Sequence, residues 1–349
     1  MPQQLPNIRA LSKAELKSYF LENGHKAFRA TQVWEWLWQK SALSFEEMSN
    51  LSKEMRTALE ADFELPHITL DLQQKSKDGT IKSRFKLNDG HLVEGVLIPA
   101  EDRFTACVSS QVGCSLSCKF CATGFLDLKR NLRADEIYDQ VCMINRQSLE
   151  HHSAPLSNIV FMGMGEPLLN YKNVLQGIDR ITAEDGLNIS PKRITVSTVG
   201  IAKMIKKLGE DEVRFNLALS LHAANDTKRD KIMAINESNN IEVLTEALQY
   251  FHEKNPKSKI SFEYILFKGF NDTKKDAQEL IELCSKVPAK INIIEYNKVE
   301  DVEFEKAGEK RRKGFVALLE KAGITATVRR SRGEDIDAAC GQLANKTLA

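Results

Sequence analysis

Three cysteines crowd one short run: Gly113-Cys114-Ser115-Leu116-Ser117-Cys118-Lys119-Phe120-Cys121. Cys114, Cys118 and Cys121, spaced C-x3-C-x2-C, can ligate three irons of a 4Fe-4S cubane. The fourth iron is then without a protein ligand, open to a substrate or cofactor. A structural zinc site instead wants four ligands, commonly from two separated C-x2-4-C pairs. The sequence has no second pair, and the nearest histidines, His151 and His152, lie in an expected loop well downstream. The chain has seven cysteines in all, an odd number that suits metal binding or redox catalysis better than a disulfide framework.

A second candidate follows an expected strand: Met162-Gly163-Met164-Gly165-Glu166-Pro167. Glycines let the backbone take positive φ and approach a ligand closely. Here Gly165 and Glu166 could offer carbonyls to an ammonium. No Gly-Lys-Ser/Thr follows, so the run is not a phosphate loop. Ser197, His222 and Asn297 also fall at or just after the ends of expected strands. Cys142 and Cys284 sit among apolar helical positions and read as packing.

The elements that must position these groups fall in three regions. Residues 1–66 read as a helical head. Ser12 and Glu15 fit a capping box, Trp34, Trp36 and Trp38 mark a second helix, and Ser44 with Glu47 marks a third helix start. The tryptophans could stack on RNA bases, but helical spacing favours packing. Residues 67–103 switch to period two, with Asp78-Gly79 and Asp89-Gly90 as hairpin turns, and read as an antiparallel β extension. From 104 to 349, apolar strands alternate with amphipathic helices. Expected strands are 104–110, 158–162, 193–197, 214–221, 260–267 and 291–296. That alternation predicts an α/β domain built as a partial (β/α)6 barrel, with chemistry at the C-terminal ends of the strands.

Composition sets outer limits. The 349 residues are 42% hydrophobic and 28% charged, with 49 basic and 48 acidic side chains and a net charge of +1. Any nucleic-acid surface must therefore be local. No run approaches the ~18 apolar residues of a membrane span, and the N-terminal residues lack a signal pattern. A cytoplasmic protein without a membrane partner is expected.

The triad resembles that of the radical S-adenosylmethionine (SAM) superfamily, whose open iron chelates the methionine part of SAM. Near the C-terminus, Gly333-Glu334-Asp335-Ile336-Asp337-Ala338-Ala339-Cys340-Gly341-Gln342-Leu343 is similar to the signature of the RlmN-type dual-specificity adenine-C2 methyltransferases. Further matching stretches are Leu92-Val93-Glu94, residues 107–114, Ser220-Leu221-His222-Ala223 and Ile235-Asn236, so the resemblance covers nearly the whole chain. Departures are Glu334, where Asp is usual, and Lys298, where Pro is common; the second bears on Asn297.

The resemblance implies methylation of carbon 2 of adenine 2503 in 23S rRNA and of adenine 37 in some tRNAs. It implies that one SAM methylates Cys340 and that a second, cleaved at the cluster, yields a 5′-deoxyadenosyl radical that takes hydrogen from the S-methyl group. The resulting methylene radical adds to the base, Glu94 removes the C2 proton, and Cys107 resolves the covalent protein–RNA intermediate through a transient disulfide. It further implies SAM contacts by Gly165, Glu166, Ser197, Ser220, Leu221, His222 and Asn297. The cofactors are then a 4Fe-4S cluster and SAM, with an electron donor such as flavodoxin or ferredoxin, and the enzyme is expected to be a monomer.

Two other functions compete. The Cfr type, which methylates adenine carbon 8, shares the triad and the Cys340 motif but typically has Ala where this chain has Pro167. A noncatalytic zinc-dependent RNA-binding protein is the alternative from another class. For RNA contact the candidate basic groups are Lys129-Arg130 with Arg133, Lys310-Arg311-Arg312-Lys313, and Arg329-Arg330 with Arg332. No long basic tail follows Leu343, so no RNA contact from such a tail is expected.

Overall fold

A computed structural model describes residues 5–300 and 302–346. Ser12 caps α1 (Lys13–Glu22) as its spacing predicts: its Oγ accepts the Glu15 amide, and the Glu15 carboxylate accepts the Ser12 amide at 2.7 Å. Helix α2 spans Phe28–Trp38, and α3 spans Lys53–Asp62. The helix start expected at Ser44 is absent. Residues 45–51 form successive turns, with amide-to-carbonyl bonds from Met48 to Phe45 and from Leu51 to Met48. Those turns bury Phe45, Met48 and Leu51 at every third residue, and Ser52 is the residue that caps α3. The apolar spacing read as a helix is thus met by tight turns.

Trp34 and Trp38 are buried. The Arg180 guanidinium lies 4.9 Å from the Trp34 ring and that of Arg9 lies 5.6 Å from the Trp38 ring; Trp38 also meets Tyr138 edge-on at 5.1 Å. Trp34 and Trp38 thus fasten the head to two helices of the α/β domain, and their rings leave no face open to a base.

The antiparallel strands β1 (Thr69–Lys75), β2 (Ile81–Lys86), β3 (Leu92–Ala100) and β4 (Arg103–Cys107) pair in sequence order. Gly79 and Gly90 take φ +87° and +84° in the two Asp-Gly turns, where a side chain would be strained. A two-stranded hairpin, β5 (Gln111–Val112) with β6 (Arg130–Asn131), pinches the base of the cysteine loop. Then β7 (Asn158–Phe161), β8 (Ile194–Thr198), β9 (Asn216–Ser220), β10 (Ile260–Leu266), β11 (Ala289–Glu295) and β12 (Ala326–Arg329) follow β4 in one parallel array.

The antiparallel extension and the parallel array form one ten-stranded sheet, with β1 and β12 as its edges. Helices α4 (Ala134–His152), α5 (Tyr171–Thr182), α6 (Ala202–Glu210), α7 (Asp226–Ile232), α8 (Ile241–Lys254), α9 (Lys274–Lys286) and α10 (Glu309–Lys321) supply the crossovers. The expected partial α/β barrel is therefore present, with β12 as a further parallel strand. It spans only four residues, Ala-Thr-Val-Arg, too short and too polar to announce itself as a buried strand. Among the described residues no helix is long and apolar enough to cross a membrane.

Candidate active site

The cysteine loop begins where β5 ends. Gly113 sits at φ +78°, and a Cβ there would lie 2.0 Å from the Asp127 carbonyl oxygen, so only glycine lets the loop close on itself. The Cys114 amide donates to the Leu126 carbonyl and the Cys121 amide to Cys118. Burial pushes the Cys114 thiol up to about 11 and raises those of Cys118 and Cys121 as well. Bound iron reverses this, because a coordinating thiol is deprotonated outright. Among the described residues no three His, Cys, Asp or Glu side chains converge tightly enough for a single metal ion. Three thiols on one short loop fit a cubane, whose three irons keep their thiolates apart.

Glycine also shapes the neighbouring loop. Gly165 has φ +90°, and a Cβ there would come within 2.4 Å of the Gln111 side chain. The Glu166 amide donates to Gln111 Oε1 at 2.8 Å, and the Met164 amide to Ser109 Oγ at 2.8 Å. Residues 163–166 are thus stitched to the strand that leads into the cysteines. The buried Glu166 carboxylate accepts the amides of Leu168 (3.0 Å) and Val199 (2.9 Å). Burial pushes it up to about 7, with those amides pulling the other way.

Ser197 and Ser220 meet hydroxyl to hydroxyl at 3.2 Å, on adjacent strand ends. Leu221 is fully buried. His222 takes φ +56°, and its Nδ1 accepts the Ile265 amide at 3.2 Å. Its ring stands edge-on to Phe120 of the cysteine loop, with centroids 4.7 Å apart. Burial pushes the imidazole down to about 3, so it stays neutral and serves as an acceptor and a prop.

The C-terminal segment threads across the mouth of the barrel. The Gly341 carbonyl accepts the Ala122 amide at 2.7 Å, and the Leu343 carbonyl accepts Thr123 Oγ1 at 2.7 Å. Asn297 Nδ2 donates to the Cys340 carbonyl at 3.2 Å, and Gln342 Nε2 donates to the Lys298 carbonyl at 3.1 Å. On the other side, Asp335 accepts Ser76 Oγ at 2.6 Å, and Glu94 Oε2 accepts the amides of Ala344 (2.9 Å) and Asn345 (3.2 Å). Lys82 Nζ stands 3.7 Å from Glu94 Oε1.

Cys107 and Val96 are register partners across β3–β4, so Cys107 and Glu94 share one sheet face. Cys107 is buried; burial, then the nearby Cys340 thiol, push it up to about 12. Cys340 keeps an open edge while protein crowds its thiol. Burial, then Cys121 and Glu263, push it up to about 12, with Arg329 opposing. Both lone cysteines thus lie at one barrel mouth, with Cys340 beside the triad loop. Asn297 lies in the same place but spends its amide on the Cys340 carbonyl and its carbonyl on Ser331.

Comparison with known proteins now bears on this site. Residues 6–65 match the ribosomal RNA large subunit methyltransferase N-terminal domain, and residues 108–284 match the radical SAM superfamily. A probable dual-specificity RNA methyltransferase RlmN from Cytophaga hutchinsonii is 60% identical, over 98% of this chain and 93% of its own length. The chain belongs to the RlmN family of radical SAM RNA methyltransferases. The RlmN protein of Geobacter sulfurreducens is 44% identical, over 97% of this chain and 92% of its own length. A crystal structure of a radical SAM methyltransferase from Sphaerobacter thermophilus superposes with a TM-score of 0.91 at 37% identity, covering 97% of this chain and 99% of that one.

As an RlmN-family radical SAM enzyme, the protein uses a 4Fe-4S cluster and SAM. This membership sets aside the zinc-dependent binding protein. The sequence reading missed Arg229, which is fully buried and donates to the Leu221 carbonyl at 3.3 Å, to Asn236 Oδ1 at 2.6 Å and to the Val199 carbonyl. It ties together the loops after β8 and β9, and nothing in its polar helix sequence sets it apart. Glu263 was also missed, although a carboxylate within the apolar run of β10 is a visible anomaly.

Proposed function

We propose that this enzyme methylates carbon 2 of adenine 2503 in 23S rRNA and of adenine 37 in a set of tRNAs. The observation that carries the reading is the meeting of two lone thiols, Cys107 and Cys340, with the cysteine loop and the Glu94 carboxylate at one barrel mouth. Cys114, Cys118 and Cys121 would hold the cluster, which with SAM supplies the radical chemistry. Gly165, Glu166, Ser197, Ser220, Leu221, His222 and Asn297 would line the SAM site. Asn297 there acts on the Cys340 backbone as well, and His222 keeps Nε2 for the ligand side, since its Nδ1 is occupied.

Cys340 carries the methyl group as a thioether and delivers it as a methylene to carbon 2. Glu94 receives the proton that carbon 2 loses. The unpaired electron left on the base would return to the cluster. The Cys107 thiol then attacks the Cys340 sulfur: a disulfide forms, the bond from Cys340 to the methylene breaks, and its electron pair, with the proton given up by the thiol, completes the methyl group on carbon 2. A disulfide of this kind in a reducing compartment is transient and must be reduced between turnovers. Electrons would come from a small redox protein of the flavodoxin or ferredoxin class, with the enzyme acting as a cytoplasmic monomer.

Most cations of two of the three basic runs stand in ion pairs. Arg130 and Arg133 bind Glu136, and Arg133 also binds Asp135. Arg311, Arg312 and Lys313 face Asp272, Glu295 and Glu309. The exposed Arg330 and Arg332 make no ion pair among the described residues and lie between β12 and the Cys340 segment, which suits them to phosphate.

Nucleoside mass spectrometry of rRNA and tRNA from cells lacking the gene tests the function. Loss of 2-methyladenosine is expected. Its persistence in both RNAs, with no second such enzyme present, overturns the reading, and loss of 8-methyladenosine instead would assign the Cfr type.

A further inference from the structure

Arg329 closes β12, paired in register with Ile294 of β11. Its Nη1 lies 3.7 Å from Glu263 Oε2 on β10 and 3.8 Å from the sulfur of Met162, just past β7. Strands β8 to β11 separate β12 from β7 in the sheet, so a side chain that touches both crosses the barrel lumen. Met162 is two residues beyond Val160, the register partner of Cys107. The Arg329 charge is the nearby cation felt at both Cys107 and Cys340.

Apart from the weak Nη1 contact with the Met162 sulfur, the donors of this guanidinium are unspent. Its side chain is 41% exposed, and among the described residues it makes no hydrogen bond to a protein oxygen. Glu263 is 2% exposed; its Oε1 accepts Ser261 Oγ at 3.0 Å and Asn292 Nδ2 at 2.6 Å, whereas its Oε2 has no donor. The carboxylate therefore holds the guanidinium by charge and leaves its N–H fork to a ligand.

A base that receives a carbon from Cys340 must lie against these thiols with carbon 2 nearest the sulfur. The ring nitrogens N1 and N3 flank that carbon, and in adenine both are in-plane acceptors without a hydrogen. We propose that Arg329 fixes the target adenine by donating to a ring nitrogen beside carbon 2, with Glu263 as the positioning residue that holds Arg329 across the lumen. This rests on the adenine-C2 reading above. It adds a base-reading residue to a site whose other groups act on SAM, on sulfur or on the C2 proton.

The test is a binding cycle with the cluster-loaded enzyme and an RNA hairpin carrying adenosine, 1-deazaadenosine or 3-deazaadenosine at the target position. Kd is read by fluorescence anisotropy. Arg329→Met should weaken binding of the adenosine hairpin about tenfold, the scale of one charge-assisted hydrogen bond. The parent enzyme should lose a similar factor on one of the two deaza hairpins, and Arg329→Met should lose nothing further on that hairpin. Glu263→Gln should show a smaller loss with the same coupling.

Losses that multiply on both deaza hairpins, or an unchanged Kd in Arg329→Met, overturn the proposal. Iron content and thermal unfolding report whether the variant folds. Should Arg329→Met fail to hold iron, Arg329→Lys, which keeps the charge but not the fork, runs the same cycle and is read in the same way. If the parent enzyme makes no 2-methyladenosine in the hairpin, the function reading has failed; if it does and no coupling appears, Arg329 alone is wrongly assigned.

Discussion

The Glu94 carboxylate accepts the backbone amide of Ala344 at 2.9 Å, so the base proposed for carbon 2 is bonded to the segment that carries the methyl group. Lys82 joins the same knot, 3.7 Å from Glu94 and donating to the Asp337 carbonyl at 3.4 Å. The proposed base and the segment of the proposed carrier are thus joined within the protein itself. That relation separates the two halves of the reaction, because methylation of Cys340 needs no base at carbon 2.

Glu94→Gln keeps an acceptor for Ala344 and removes the proton acceptor. Cys340 should still gain its methyl group, read as the mass of the intact protein. RNA methylation should fall by about 10²–10⁴-fold, the usual contribution of a general base. Unchanged RNA turnover would remove Glu94 from the chemistry.

On the proposed mechanism, Cys107→Ala leaves the covalent adduct without its resolving thiol. The variant should accumulate as a protein–RNA species that survives denaturing electrophoresis. Cys142→Ala should not, because that thiol is spent on Ser41 Oγ at 3.1 Å, in the seam between head and α4. Multiple turnover by Cys107→Ala would refute the resolving role.

Much of this site was legible because its chemistry is local in sequence. The cysteine triad, the Met162–Pro167 loop and the Cys340 segment are each contiguous, and each keeps its spacing when folded. Glu94 and Cys107 were reached by resemblance, and what joins them is strand register, which sequence spacing does not display. Arg229 and Glu263 act through contacts tens of residues away, so only the folded chain reveals them. The misplaced start of α3 has a similar origin: apolar residues at 45, 48 and 51 suit a helix face and a run of tight turns equally well.

With Glu166 in the SAM site as proposed, SAM binding should depend on pH. The Glu166 carboxyl is held up to about 7 by burial, so near pH 6 it is mostly protonated, and it becomes anionic as pH rises through 7. A cationic ligand favours the anion, so SAM affinity should increase across that window, by roughly tenfold at most between pH 6 and 8. Glu166→Gln should bind SAM weakly with a flat profile. Isothermal titration on the cluster-loaded enzyme at three pH values checks both, and a flat profile in the parent would count against the Glu166 carboxylate acting on SAM.

Arg330 and Arg332 should govern the salt dependence of RNA binding. Removing one cation that pairs with a phosphate reduces the slope of log K against log salt by about 0.7–0.9. Arg330→Gln with Arg332→Gln should therefore lower it by roughly 1.5. Arg311→Gln with Arg312→Gln should leave it unchanged, since those cations already face Asp272 and Glu295. Equal slopes in all three proteins would place the RNA elsewhere.

The head is fastened by one buried ion pair, Arg9 Nη1 to Asp139 Oδ1 at 2.6 Å, under the Trp38 ring. Asp139 Oδ2 also accepts the Ile68 amide at 3.3 Å, so one carboxylate holds both the head and the start of the β extension. Burial raises the Asp139 carboxyl while Arg9 pulls it down, so the pair exists only as a unit. Asp139→Ala strands a buried guanidinium whose Nε and Nη2 already lack partners, and should cost about 3–5 kcal/mol. Arg9→Met with Asp139→Leu replaces the pair by apolar volume and should recover most of that loss. Thermal unfolding of the three proteins decides it: a double variant as unstable as Asp139→Ala would mean that the pair itself, and not the avoidance of an unpaired charge, holds the head in place.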